Sequence, residues 1–464
     1  MTPNDKNHML ESQNPSVLSL DTNNWARQSL QFTNQLSENL GDLSLSSFSG
    51  RSSSTAENPS TTPTLPNIQL PLVGANPNPN PYLTSAAIVP DFNGDGKTDK
   101  VWVDQTTGEL KVRLMNGSSV IAEGSNKDNG DVKGTLGAIQ LTPTTTSKIA
   151  DFNGDGKTDL LLRDQSTGRN QIFLMNGVDA PTVIALDSVD AAWTPLIGDF
   201  NGDRKTDIFW RNTKTGENAI WLIDATQPQA VTSATVIDAQ DATWNPTMVD
   251  FDGNGKTDIF WRSTAGENSA WFMDGTQANK SALETLDANW TSSVGDFNGD
   301  YKTDILWRNN QTGENAVWVT NSLLPNNIFF TTGSLKTLDS NWKSNIGDFN
   351  GDGKTDVFWH NEATGENTSW LMDGTALTTE TFLSPTSTSS KASFGDFNGD
   401  GKTDIFWRDY AGGADEVWTT NGNGTTVTRT PVADKDKLSP VKLGGDGQPV
   451  LGADGKPIQQ WITF

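Results

Sequence analysis

The sequence predicts an all-β chain, a seven-bladed β-propeller of four-stranded blades with a largely disordered N-terminal arm. Three observations predict it. First, a nine-residue segment, Asp-Phe-Asn-Gly-Asp-Gly-Lys-Thr-Asp, begins at Asp91 and recurs in close variants from Asp151, Asp199, Asp250, Asp296, Asp348 and Asp396. Second, the intervals are 60, 48, 51, 46, 52 and 48 residues, the length of a four-stranded propeller blade. Third, each interval reads as short β-forming runs, and none sustains a 3.6-residue apolar period. An open β-solenoid is the rival architecture, but its turns are usually shorter. Radial repetition also protects the sheet edges.

The elements follow in order. Residues 1–81 hold nine of the 21 prolines, and 48–81 is a Ser/Thr/Pro/Asn tract that reads as linker. Before it, Trp25, Leu30, Phe32, Leu36, Leu40 and Leu43 approximate helical spacing, a short weak helix within the arm. Repeats fill 82–433. In the third unit, 193–200 leads into the nine-residue loop as strand one and 207–211 leaves it as strand two. A turn at 215–218 precedes strand three at 219–223, and 230–237 is strand four. Strand two is apolar on both faces (Ile-Phe-Trp), as expected of a middle strand covered by neighbouring blades. The same layout recurs in 259–262 and 270–273, 305–308 and 316–319, and 357–360 and 369–372. The tail, 434–464, carries two Gly-Asp-Gly-like turn signals and reads as one or two hairpins without a metal-type loop.

The loop places oxygen side chains at positions 1, 3, 5 and 9. Position 1 is Asp91, Asp151, Asp199, Asp250, Asp296, Asp348 and Asp396; position 3 is Asn93, Asn153, Asn201, Asp252, Asn298, Asn350 and Asn398. Position 5 is Asp95, Asp155, Asp203, Asn254, Asp300, Asp352 and Asp400; position 9 is Asp99, Asp159, Asp207, Asp258, Asp304, Asp356 and Asp404. Alternate residues of a tight turn aim at one centre, and the donors are hard oxygens with neither His nor Cys. That set selects Ca²⁺ over Zn²⁺ or copper, and Mg²⁺ would demand stricter octahedral geometry. By analogy with other calcium loops the position-7 backbone carbonyl is a fifth ligand, from Lys97, Lys157, Lys205, Lys256, Lys302, Lys354 and Lys402. Up to seven Ca²⁺ are expected. An EF-hand is excluded, because position 12 is Trp or Leu inside a strand where that motif needs a bidentate Glu. The competing reading is a set of Asx-turns that holds hairpins without metal. Arg204 and Tyr301 replace the position-6 glycine, where a positive φ is expected, and mark loops three and five as candidates for weak or empty sites.

This loop, followed by Ile-Phe-Trp at a regular interval, resembles FG-GAP (VCBS-type) repeats, which build the propellers of integrin α-subunits and of some calcium-dependent lectins. The resemblance covers about 82–433 and is carried by the loop. It implies that the loop joins the first two strands of each blade and that the ligands are those just named. It also implies an extracellular binding or adhesion module.

Fifteen of the 17 tryptophans fall at three repeat positions, leaving Trp25 and Trp461 in the flanks. Those in strands two and three are expected to pack between blades, since each buries about 150–250 Å². The pre-loop set, Trp193, Trp244, Trp290 and Trp342, sits near a blade end and is the candidate for stacking on a sugar. Units one, two and seven lack it. Arg211, Arg262, Arg308 and Arg408 follow the strand-two Trp and are expected to stack on or pair with the next blade, with His360 a structural variant in that place.

Composition narrows the function classes. Lys plus Arg is 33 against 57 Asp plus Glu, a net charge of −24, which argues against a nucleic-acid partner. Of the acidic residues, 21 lie in the loops, so seven Ca²⁺ would move −24 to −10. The chain has no Cys and only His8 and His360, so thiol, Ser-His-Asp and multi-His zinc chemistry have almost nothing to work with. No apolar run reaches the roughly 18–20 residues of a membrane span, and no cleaved signal is visible at the N-terminus. The expected function is a non-catalytic calcium-binding propeller that recognises a glycan or a protein, secreted or at the cell surface without a cleaved signal. The alternatives are a secreted polysaccharide lyase or hydrolase that uses carboxylates, and a purely structural assembly subunit.

Overall fold

The computed structural model describes residues 90–104, 109–127, 135–142, 144–324, 327–409, 414–433 and 461–463. All belong to the second of the chain's two units, Gln69–Phe464. The arm and linker expected at 1–81 lie outside the described residues, as do the tail hairpins apart from 461–463. The described strands form seven four-stranded antiparallel sheets and no helix, so no described helix is long and apolar enough to cross a membrane.

Blade four shows how sequence becomes sheet. Its strands are Trp244–Val249, Asp258–Ser263, Asn268–Asp274 and Gln277–Leu283, each paired with the next in chain order. In the second strand Ile259, Phe260 and Trp261 are all buried, because blades on both sides cover its faces. The fourth strand lies at the outside of the ring and is mostly exposed or half-buried. Six sheets follow this meander.

The seams between blades are the core. One cluster joins Phe200, Phe209 and Ile220 of blade three to Met248, Ile259, Trp261 and Trp271 of blade four. Within a blade the strand-two and strand-three tryptophans pack on each other, with ring centroids 5.1 Å apart for Trp261 and Trp271 and 5.2 Å for Trp307 and Trp318. The residue after the strand-two Trp then stacks on the next blade. Arg163 lies over Trp210, Arg211 over Trp261, Arg262 over Trp307, and Arg308 over Trp359, at 4.8–5.1 Å. His360 packs edge-on against Trp407, and Arg408 lies over Trp102 at 4.4 Å, which carries the belt across the junction of blades seven and one. The expected arginine stacking is therefore present, with Arg163 as an additional member.

The one seam without this pair lies between blades one and two, where Val103 and Leu162 take the two places. The long first interval supplies a substitute: Leu136 and Ile139, from the connection between the blades, are fully buried among Leu110, Val112, Leu160 and Leu162. Blade one is also built differently at its inner edge. The strand Trp461–Thr463, from the far end of the chain, pairs with Lys100–Asp104. Trp461 faces Asp104 in register, the place where Trp193 faces Asn212 and Trp244 faces Ser263. The pre-loop tryptophan missing from the first unit is thus supplied in register by the tail.

Candidate metal centre

Loops two to seven are hairpins whose position-9 residue opens strand two directly opposite the last residue of strand one, as Val249 faces Asp258. The chain turns around the position-1 carboxylate. In loop four, Asp250 Oδ1 accepts from the N–H of Gly253 at 2.8 Å and of Asn254 at 3.2 Å, and Oδ2 accepts from Gly255 N–H at 2.9 Å. The position-6 donor needs a left-handed backbone, and glycine supplies it in five loops at φ 79–82°. Arg204 and Tyr301 adopt the same conformation at φ 68° and 67° and still donate to Asp199 and Asp296 at 2.8 Å. Loops three and five therefore keep the geometry at a backbone cost of about 1–2 kcal/mol each.

Position 9 ties the loop to the blade. One Asp99 oxygen accepts from Phe92 N–H at 2.8 Å and the other from Met115 N–H in strand three at 2.9 Å. The same pair of bonds recurs at Asp159, Asp207, Asp258, Asp304, Asp356 and Asp404, at 2.7–3.1 Å. All seven of these carboxylates are completely buried. Burial pushes Asp99, Asp159, Asp207, Asp304 and Asp356 up to about 8 and Asp404 to about 7, against the pull of their backbone donors. Burial, reinforced by Asp252 and Asp250, carries Asp258 well above the carboxylate range. Position 1 is raised for the same reason, Asp250 to about 7.

The lysines in the loops do not relieve this. Among the described residues no ion pair reaches a position-9 carboxylate. Lys205 pairs with Asp224 at 2.8 Å, Lys354 with Asp373 at 2.6 Å, and Lys256 with Asp274, all beyond the loop; Lys302 and Lys402 reach only position 5. In loop four, where position 3 is Asp, one oxygen each of Asp250, Asp252 and Asp258 lies within 4.8 Å of the other two. With buried carboxylates at position 9 and, Asp151 apart, at position 1, more exposed Asn or Asp oxygens at 3 and 5, and no nitrogen or sulfur donor, the loops suit a hard divalent cation.

The loops also touch one another. The position-8 Thr N–H donates to the position-1 backbone carbonyl of the preceding blade's loop: Thr158 to Asp91, Thr206 to Asp151, Thr257 to Asp199, Thr303 to Asp250, Thr355 to Asp296, Thr403 to Asp348 and Thr98 to Asp396, at 2.6–2.9 Å. The position-7 Lys stem lies on the position-4 glycine of that loop. Lys157 Cγ is 3.3 Å from where a Cβ on Gly94 would stand, and Lys97 Cγ is equally close at Gly399. Sequence reasoning named position 7 only for its carbonyl and passed over position 8, although Thr fills that place in every copy.

The pre-loop tryptophans stand at the opposite end of strand one from the loop. Trp290 and Trp342 are buried and Trp193 and Trp244 half-buried, and Trp193, Trp244 and Trp342 pack into the seams. A ligand at those rings would lie away from the loops.

No curated protein matches the sequence. Among solved structures the chain resembles the periplasmic gluconolactonase of Pseudomonas aeruginosa (10% identity, TM-score 0.46, covering 72% of this chain and 95% of that one). It also resembles a Lactobacillus plantarum protein (9%, TM-score 0.42, 72% and 95%) and a putative 6-phosphogluconolactonase from Bacteroides uniformis (14%, TM-score 0.37, 74% and 97%). The activities in those names belong to those proteins. The FG-GAP-like repeat family matches in five overlapping segments, 151–210, 199–261, 250–307, 296–359 and 348–407. Together these cover more than half of the chain and coincide with loops two to seven, and the chain belongs to the FG-GAP-like repeat family as an integrin-α-like propeller.

Proposed function

We propose that this protein is a calcium-stabilised, non-catalytic propeller that recognises a glycan or a protein at a cell surface or in the extracellular space. One observation carries the calcium part. A completely buried position-9 carboxylate with no ion-pair partner among the described residues recurs in seven loops, each time beside further oxygen donors at positions 1, 3 and 5. Three carboxylates in nine residues call for positive charge, and a bound Ca²⁺ supplies it. Sites of this kind in extracellular modules have Kd values of about 10⁻⁴–10⁻³ M. At ~1 mM Ca²⁺ and a Kd of ~0.1 mM, each independent site adds about 1.4 kcal/mol to the folded state. Micromolar cytosolic calcium would leave such sites mostly empty, which is why the reading places the protein outside the cytosol. The recognition role rests on the likeness to adhesive propellers.

Calorimetric titration and thermal melts test the metal directly. Adding EDTA should lower the melting midpoint, and restoring millimolar Ca²⁺ should recover it. An unchanged midpoint with no binding heat would leave metal-free Asx-turns as the better account of the loops. Retention on a glycan array or a matrix-protein surface, lost with EDTA, tests recognition.

A further inference from the structure

We infer that the seven loops bind calcium cooperatively, each site coupled to its two neighbours around a closed ring, an inference that rests on the calcium reading above. The coupling element is the contact between successive loops. Position 1, a proposed ligand through its side chain, offers its backbone carbonyl to Thr at position 8 of the next loop, as Asp250 does to Thr303 at 2.7 Å. That threonine stands between positions 7 and 9, both proposed ligands, so an ordered loop four fixes the backbone on which two donors of loop five are mounted. In four seams the position-1 N–H also donates to the threonine Oγ1, as Asp250 does at 2.9 Å and Asp296 to Thr355 at 2.9 Å.

A second contact acts in the reverse direction. Lys302 Cγ lies 3.1 Å from where a Cβ on Gly253 would stand, so the stem of loop five backs the stretch of loop four between positions 3 and 5. A third joins the position-2 carbonyl to the outer turn of the next blade: Gly177 N–H donates to Phe92 at 2.7 Å and Gly374 N–H to Phe297 at 2.8 Å. The same contacts cross from blade seven to blade one, with Thr98 bonded to Asp396 and Gly117 to Phe397, both at 2.6 Å. The ring has no terminal site. A cation that orders one loop therefore lowers the ordering cost for both neighbours, which is positive coupling through conformational entropy. Coupling between sites typically amounts to about 5–150-fold in affinity.

The test uses the full chain and calcium alone. The exposed position-5 ligands Asp155, Asp203 and Asp352 are changed to Asn singly and in the pairs Asp155→Asn with Asp203→Asn, in adjacent loops, and Asp155→Asn with Asp352→Asn, in distant loops. Wild-type titration should show a Hill coefficient above 1. Each single variant should lose more than one site's share of the calcium-induced rise in melting midpoint. The adjacent pair should lose less than the sum of its singles, because the shared coupling is lost once, and the distant pair should lose the sum. Binding with a Hill coefficient of 1 and additive losses in both pairs would overturn the coupling and leave the calcium reading intact. No binding heat and no shift of the midpoint would overturn both.

Discussion

At the scale of single residues, the departures from the repeat are the places where stability should change most readably. Tyr301 holds the left-handed backbone that glycine holds at the same position in five of the other six loops, and its ring is exposed, so Tyr301→Gly removes strain without removing packing. The substitution should raise stability by about 1 kcal/mol in a denaturant melt, the strain relieved less the extra freedom of an unfolded glycine. Lys100 is a different kind of exception. It takes the place of Leu160, Ile208, Ile259, Ile305, Val357 and Ile405, buried at the seam with blade seven against Ser393 and over the rings of Phe397 and Phe406. Burial pushes its ammonium down to about 7 from 10.5. Between those values the unfolded chain holds a proton that the folded chain has shed, so the wild type gains stability as pH rises from about 7 toward 10.5. Lys100→Leu should therefore stabilise by about 1–3 kcal/mol at pH 6 and by clearly less at pH 9. An equal gain at both pH values would show that the amine stays charged when buried. The repeat makes the oddity of Lys100 visible in the sequence, but only the closed ring shows that its neighbours come from the last blade.

At the scale of elements, the seams matter more than the individual sheets. Arg262 illustrates the device. Its guanidinium donates to Gly266 O at 3.0 Å and Asn268 Oδ1 at 2.9 Å in its own blade, and to Asp287 O and Trp290 O at 2.8 Å in the segment that begins the next. The plane of the group lies over Trp307. A lysine could not serve four acceptors and a ring at once, so Arg262→Lys should cost nearly as much as Arg262→Ala, about 2–3 kcal/mol in equilibrium unfolding. The exposed Arg169→Ala, outside the belt, should stay within about 0.5 kcal/mol of wild type. If Arg262→Lys matched wild type, charge alone would suffice and the fork geometry would not matter. The blades and loops were legible because a seven-fold recurrence exposes strand, turn and donor positions together. The strand-two arginine was expected to meet the next blade, but its partners there, a tryptophan ring and backbone carbonyls, were not legible, since they lie in a different repeat from the arginine itself. Arg163 was overlooked for a related reason: it follows Leu162, and its tryptophan, Trp210, belongs to the next repeat.

At the scale of the whole molecule, the question is what holds the first blade to the last. Position-8 Thr98, the Gly117 amide and the Arg408–Trp102 stack make the same contacts there as at the other junctions, but those strands are covalently remote. The C-terminal strand gives blade one a fourth strand from the opposite end of the chain, with Ile462 facing Val103 and Thr463 facing Trp102. Pro90 accepts from Asp99 N–H at 2.6 Å at the loop end of the same edge, so the two ends of the repeat region share one strand position. The tail's turn signals drew attention to hairpins, whereas the better signal was a tryptophan present in the tail and missing from the first unit. Without this strand, Lys100–Asp104 would present an open sheet edge over most of its length. A chain ending at residue 460 should therefore lose roughly 2–4 kcal/mol and melt at a lower midpoint, as backbone donors and acceptors of the inner edge lose their partners. Ile462→Pro, which removes a backbone donor and disfavours a ladder position while leaving the chain length intact, should reproduce the lower midpoint. A synthetic peptide spanning 455–464 added to the truncated chain should recover part of it. If truncation and Ile462→Pro both left the midpoint unchanged, the seam contacts alone would be closing the ring.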